Sequence, residues 1–217
     1  MRDASWPMEP SPASLDAAAD CHVILSWRAS PMMNTNAQDL CRRMSRPFYL
    51  RLYFLRKLPL ALAAGIRLKA LTPDRCQATV PYSWRTTNPF RSTYFAAQSM
   101  AAELSTGLLA SLAVRLAPES VSMLIVGMQA SFEKKATALT TFTCQDGPRF
   151  FEAVEQTLAS GEAVTMEAET IGAMPDGTVA ARFRFSWSFK KRAVGGVSRQ
   201  DAKSQKQDLS EDFGPRI

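Results

Sequence analysis

One carboxylate in this chain has no cation within reach on its own helix. Glu103 lies in a run that reads as helical from Ser92 or Thr93 to about Val114. Ala96 and Ser99 precede it by seven and four residues, and Gly107 and Ala110 follow it by four and seven. These spacings share one helical face, where a surface glutamate commonly meets a Lys or Arg. Here the carboxylate stands in a trough of small side chains, with space for a water or a substrate. Partial burial without a cation raises a carboxylate pKa and makes it a better base. Two other readings stay open: a bridge to a partner strand or subunit, for example through Arg182 or Arg184, and simple exposure.

Other chemistries are excluded by composition. The single histidine, His22, sits in a segment without sustained period, whereas a Ser-His-Asp triad needs a rigidly held one. There is no Gly-x-Ser-x-Gly elbow, no GxGxxG and no GxxxxGK[ST]. The cysteines, Cys21, Cys41, Cys76 and Cys144, form no CxxC pair. Free thiols in a reducing compartment are expected, with no metal site and no cofactor. Any catalysis must come from carboxylates, hydroxyls, amides, thiols or backbone dipoles.

The elements that must position Glu103 follow from periodicity. Pro47 suits the first turn of a helix through Lys57. Ile66, Leu68 and Ala70 alternate with Arg67 and Lys69, and Cys76, Ala78, Val80, Tyr82 and Trp84 alternate after the Thr72-Pro73-Asp74 turn, which predicts a hairpin. Two further strands are expected over 121–136 and 138–145. Pro148 to Ser160 reads as an amphipathic helix stopped by Gly161. Val164, Met166 and Ala168 begin another strand. Val179, Ala181, Phe183, Phe185, Trp187 and Phe189 alternate with Arg182, Arg184, Ser186 and Ser188 in the last one. That alternation requires an antiparallel sheet with one buried face, and only the central helix is long enough to cover it. On that helix Ala97, Met100, Ala101, Leu104, Leu108 and Ser111 form the expected contact stripe. The fold class is therefore α+β, a long central helix wrapped by a curved antiparallel β-sheet.

At 217 residues the chain has room for one domain with tails. The expected division is a flexible N-terminal extension over 1–44, a domain over 45–190 and a disordered basic tail over 191–217. Net charge is +6, distributed as −3 over 1–39, +6 over 40–189 and +3 over 190–217. The longest apolar run, Leu58 to Ile66, is about half of a membrane span, so stable membrane insertion is not expected. The first residues mix acids and prolines where a secretory signal would be basic and then apolar, which points to a cytoplasmic protein.

The segment Thr86 to Gly107 (TTNPFRSTYFAAQSMAAELSTG), with Ala130 to Ala136 (ASFEKKA), resembles hotdog-fold acyl-CoA thioesterases. It is closest to a poorly characterised branch related to the phenylacetyl-CoA type, over roughly residues 45–190. The family pattern is an Asn in the loop, a His-Gly-Gly opening the helix and an acid nine residues after the His. Asn88, Tyr94 and Glu103 fall at those positions, with Phe95 and Ala96 in place of the glycines. The resemblance implies a hotdog fold, a homodimer or dimer of dimers with its active site between subunits, and an acyl-CoA substrate.

Under that reading Glu103 activates a water, with Asn88 holding that water or the carbonyl. Tyr94 donates a hydrogen bond or is a buried aromatic. The amides of Phe95 and Ala96, at the positive end of the helix, hold the oxyanion. Ser92, Ser99 and Gly107 line the substrate. Arg91, Lys134, Lys135 and Arg149 are candidates to meet the CoA phosphates. The altered His-Gly-Gly segment motivates an alternative, a module that binds acyl-CoA or lipid without hydrolysis. A third reading, nucleic-acid or anionic-membrane binding through Lys190-Lys191-Arg192, rests on a short run, and nucleic acid is not an expected partner.

Overall fold

The protein was analysed as a computed structural model, which describes residues 31–192. Prolines open three of the first four helices in the places where their missing N–H matters least. These are α1 (Pro31–Met44), α2 (Pro47–Lys57) and α3 (Pro59–Ala63). Leu58 ends α2 and starts α3. The hairpin follows as β1 (Arg67–Leu71) and β2 (Cys76–Val80), paired antiparallel. Pro81 closes β2, so Tyr82 and Trp84, expected to continue that strand, lie beyond its end.

The central helix α4 spans Phe95–Leu116, and β3 (Val121–Phe132) and β4 (Thr140–Cys144) come next. Helix α5 (Gly147–Ser160) ends on Gly161, whose φ of 74° is the left-handed cap expected there. The strands β5 (Val164–Ala173) and β6 (Val179–Lys191) complete a six-stranded antiparallel sheet, in the order β1-β2-β4-β5-β6-β3.

The expected alternation in β6 is realised. Phe183, Phe185, Trp187 and Phe189 are buried, while Arg182 and Arg184 face outward. Phe142 and Phe132 each pack edge-on against Phe183 with ring centroids 5.7 Å apart. Each such buried side chain contributes roughly 1.5–3 kcal/mol relative to exposure.

Two expectations need correction. The N-terminal extension was drawn through residue 44, but Pro31–Met44 is helical, and Ala37, Cys41 and Met44 are buried in the same core. Its spacing of small and sulfur-bearing residues hid an amphipathic turn among polar neighbours. The rest of that extension, with His22 and Cys21, and the tail beyond residue 192 lie outside the described residues. Helix α4 was expected to bury one stripe. It is buried around most of its circumference, Gln98, Ser105, Thr106 and Ala110 included, because α1 and α5 pack against it as well as the sheet.

Two hydroxyls fix the rotation of α4. Ser105 Oγ and Thr170 Oγ1 on β5 are 2.8 Å apart, and Trp187 Nε1 on β6 donates to Thr106 Oγ1 at 3.2 Å. Cys41, Cys76 and Cys144 are free and buried, as expected of structural thiols. Burial pushes Cys41 up to about 11 and Cys144 up to about 12, so both stay protonated and unreactive at neutral pH.

Gly172 on β5 lies against the Phe142 ring, and a Cβ there would come closer to three of its ring carbons than van der Waals contact allows. Phe142 is fully buried and cannot yield. Gly172→Ala should therefore destabilise the fold by about 1–3 kcal/mol, read as a melting temperature lower by several degrees in a circular-dichroism melt. An unchanged melt would mean the two strands separate there more readily than the packing implies.

Candidate active site at the start of the central helix

The loop before α4 is tied down by hydroxyl and amide bonds. Thr86 Oγ1 donates to Pro81 O at 2.6 Å, and Thr93 Oγ1 donates to Ala136 O at 3.0 Å. Asn88 is the clasp of this loop. Its Oδ1 accepts from Phe90 N at 3.0 Å, and from Ser92 N and Ser92 Oγ at 3.2 Å each. That leaves the Asn88 oxygen and the Ser92 hydroxyl committed to the loop, so only the Asn88 amide nitrogen remains available to a ligand. Arg91, at the loop tip, is the one non-glycine residue with positive φ among the described residues, at 56°.

Helix α4 starts with Tyr94 in the cap position, and Tyr94 gives no side-chain bond to the first turn. The opening amides, those of Phe95 and Ala96 among them, therefore lack a side-chain cap. The Tyr94 and Phe95 rings are about half exposed and meet edge to face with centroids 4.8 Å apart. Tyr94 is thus not the buried aromatic that was one of its two readings.

Beside this helix start is a cavity of about 350 Å³. Asn88, Ser92, Phe95, Gln98, Lys134 and Lys135 line it, with Phe132 and Glu133 from the end of β3. Lys135 Nζ donates to Phe90 O at 3.3 Å. Glu133 is engaged with Arg182 at 2.8 Å, and Arg184 pairs with Glu169 at 3.4 Å. Neither arginine therefore pairs with Glu103, and the ion-pair reading of that residue is not realised. Arg149 pairs with Asp146 at 3.3 Å and does not line the cavity.

Gln98 is the site residue that periodicity missed. It is 4% exposed, and its Nε2 donates to Thr93 O at 3.0 Å. That bond fixes the amide orientation and leaves Oε1 buried without a hydrogen-bond partner among the described residues. A buried carbonyl oxygen so placed calls for a donor. The available signal was a lone amide in the first turn of an otherwise small and apolar helix.

Glu103 sits further along. Its carboxylate lies over Gly107, with Oε1 2.8 Å from where a Cβ on Gly107 would stand. The Trp187 ring is on the same spot, 3.4 Å away. The side chain is half-buried and makes no ion pair among the described residues. Burial holds its pKa above the ordinary carboxylate value. Ser99 Oγ is turned back onto Phe95 O at 2.9 Å and is thereby satisfied within the helix.

The candidates thus fall into two groups. Asn88, Arg91, Ser92, Tyr94, Phe95, Ala96, Lys134 and Lys135 gather around the start of α4. Glu103 lies about 12 Å and Gly107 about 18 Å along the helix axis from Phe95, and neither lines the cavity.

The geometry has counterparts among solved structures. A Pseudomonas aeruginosa protein of unknown function, named a probable thioesterase, superposes with a TM-score of 0.57 at 17% identity, covering 69% of this chain and 99% of its own. A Shewanella oneidensis protein, named as a candidate thioesterase, gives 0.55 at 12% identity, with 70% and 99% covered. A Chlorobaculum tepidum protein of unknown function gives 0.57 at 12% identity, with 66% and 93% covered. No curated protein matches in sequence. The expected hotdog fold is the fold observed: a curved antiparallel sheet around one long helix. The model of the family described as a domain of unknown function, DUF4442, matches residues 49–188, well over half of the chain, and the protein belongs to that family.

Proposed function

We propose that the protein hydrolyses an acyl-CoA-type thioester, with Glu103 as the general base. The observation that carries this reading is a half-buried carboxylate with a raised pKa, no cation beside it, and a glycine beneath it. The names given to two of the structural relatives support the same reaction class.

In this reading the thioester carbonyl meets the open amides at the start of α4, where the helix dipole favours negative charge. Glu103 takes a proton from water as the water oxygen attacks the carbonyl carbon. The tetrahedral oxyanion collapses, the carbon–sulfur bond breaks, and the leaving thiolate recovers the proton from Glu103. Gln98 Oε1 accepts a hydrogen bond from substrate or water in the cavity, and Lys134 and Lys135 attract the phosphates.

One helix cannot supply both halves to one carbonyl carbon, because about 12 Å separates them. A second copy resolves this. Strand β3 is one of the two edges of the sheet, twelve residues long, and it exposes Leu124, Val126, Met128 and Phe132. An apolar open edge of that length invites pairing with another sheet edge. The working unit in this reading is a homodimer in which Glu103 of one protomer serves the cavity of the other.

A second reading has a specific observation behind it. Phe95 stands about half exposed at the helix start, and the cavity does not reach Glu103. A module that binds acyl-CoA without hydrolysis fits those facts. Saturable acyl-CoA binding with no thiol release would favour it.

Three measurements test the proposal. Glu103→Gln should lower kcat by about 10²–10⁴-fold while the fold is retained. Burial raises the Glu103 carboxyl above 4.5, so its contribution to stability is full below that pH and lost as pH rises through the raised value. Glu103→Gln should therefore melt higher than wild type at neutral pH, and the gap should close in acid. A variant that melts lower at neutral pH would show that the carboxylate is stabilised by a partner.

Gly107→Ala adds a methyl where the carboxylate now lies. Helix propensity alone favours Ala over Gly by about 0.5–1 kcal/mol, and the flexible carboxylate can move aside. Hydrolysis should fall at least tenfold with the melt unchanged or raised. Full activity would remove the present Glu103 pose from the mechanism.

Mixing Glu103→Gln with Gln98→Leu tests the shared site. Each alone should be impaired, and mixed dimers should regain activity because one of their two sites is intact. Failure to regain any activity, with exchange confirmed by native mass spectrometry, places both groups in one protomer.

A further inference from the structure

A cavity larger than the one at the helix start belongs to neither half of that site. It is a groove of about 800 Å³ between α2, α3 and β1, floored by Phe54, Leu62, Ile66 and Leu68. Three arginines rim it, Arg51, Arg67 and Arg85. Arg85 Nη2 reaches over Gly65, 3.4 Å from where a Cβ would stand. None of the three pairs with a carboxylate among the described residues. One wall is α2, where Phe48, Leu52 and Leu55 recur at helical spacing and point to solvent with Arg51 among them. Phe48 is 77% exposed, and Leu60 on α3 is 74% exposed.

Charge is concentrated in the same stretch. Residues 42–85 hold ten Lys or Arg and one Asp, a net +9. Residues 86–189 hold seven against ten, a net −3. The overall +6 thus conceals an uneven distribution, in which the positive stretch also carries the exposed Phe48, Leu52, Leu55 and Leu60.

We propose that this face docks on an anionic phospholipid bilayer. Phe48, Leu52 and Leu55 enter the interface, and Arg51, Arg67 and Arg85 take the lipid phosphates. Exposed leucines gain nothing against a nucleic-acid backbone but gain burial at a lipid interface. Basic residues near an anionic leaflet strengthen such docking. A second copy on the same face would bring two sets of these arginines together, which like-charge repulsion opposes. Among the described residues no helix is long and apolar enough to cross a membrane, so the docking is peripheral. The proposal is independent of the thioesterase reading.

The test is co-sedimentation of the full chain with vesicles of phosphatidylcholine alone and of phosphatidylcholine mixed with phosphatidylglycerol. Binding is expected on the mixed vesicles only, and it should weaken as salt rises. Each arginine near the surface accounts for about a fivefold change in partition. Arg51→Glu/Arg67→Glu/Arg85→Glu should therefore lower it at least tenfold. Leu52→Ser/Leu55→Ser changes exposed side chains only and should also lower it, with the circular-dichroism melt confirming that each variant folds. Equal partition onto neutral vesicles, no partition at all, or partition untouched by both variants overturns the proposal. So does arginine-dependent binding of single-stranded DNA without vesicle binding, or an arginine-dependent change of mass in sedimentation velocity without vesicle binding.

Discussion

The rotational setting of the central helix governs everything near the candidate site. A helix packed on a sheet through small residues has little side-chain interdigitation to stop it turning. Here Thr106 is held by the Trp187 indole, and Ser105 is held by Thr170. Both bonds are buried, where a lost partner leaves a polar group unsatisfied at a cost of about 1–3 kcal/mol. With those adjacent residues fixed on β5 and β6, Glu103 is carried to the edge of the buried surface, and Gln98, seven residues before Ser105, to the same buried face as Ser105. The same pins leave Gly107 directly under the carboxylate, against the ring of Trp187.

That setting also explains why Glu103 stays without a cation. The arginines on β6 that could have reached it face the outer side of the sheet and are taken by Glu133 and Glu169. A strand places alternate residues on opposite faces, so the aromatic half of β6 goes to the core and the arginine half is kept away from α4. Carboxylate burial and arginine exposure are two results of one alternation.

The molecule has three distinct surfaces beyond the core. One is the cavity at the start of α4, polar and lysine-lined, with the unpartnered oxygen of Gln98 in its wall. Another is the open edge of β3, where Met128 is 52% exposed on the last strand of the sheet. The third is the arginine-rimmed groove under α2, at the opposite end of the sheet order beside β1. Loop clasps such as Asn88 on Ser92 make the first surface rigid, since the loop's polar atoms satisfy one another.

The sequence by itself determined the elements whose patterns are local. Alternation in Phe183 to Phe189 specified the core strand, Pro47 specified a helix start, Gly161 specified a helix stop, and the family resemblance carried by Asn88, Tyr94 and Glu103 implied the hotdog fold. It also singled out Glu103 as lacking a cation on its own helix. Tertiary structure alone decided the rest. Whether Arg182 or Arg184 reaches Glu103 depends on which face of a distant strand meets the helix. Gln98 became a buried, half-satisfied amide only because α4 is covered on several sides, and a single-helix wheel reads that position as solvent. Asn88 and Ser92 were spent on each other by loop closure. Pro31–Met44 joined the core because its few small residues found a matching surface on α4. In each case the deciding contact joins residues far apart in the chain, and periodicity carries no information about which surfaces meet.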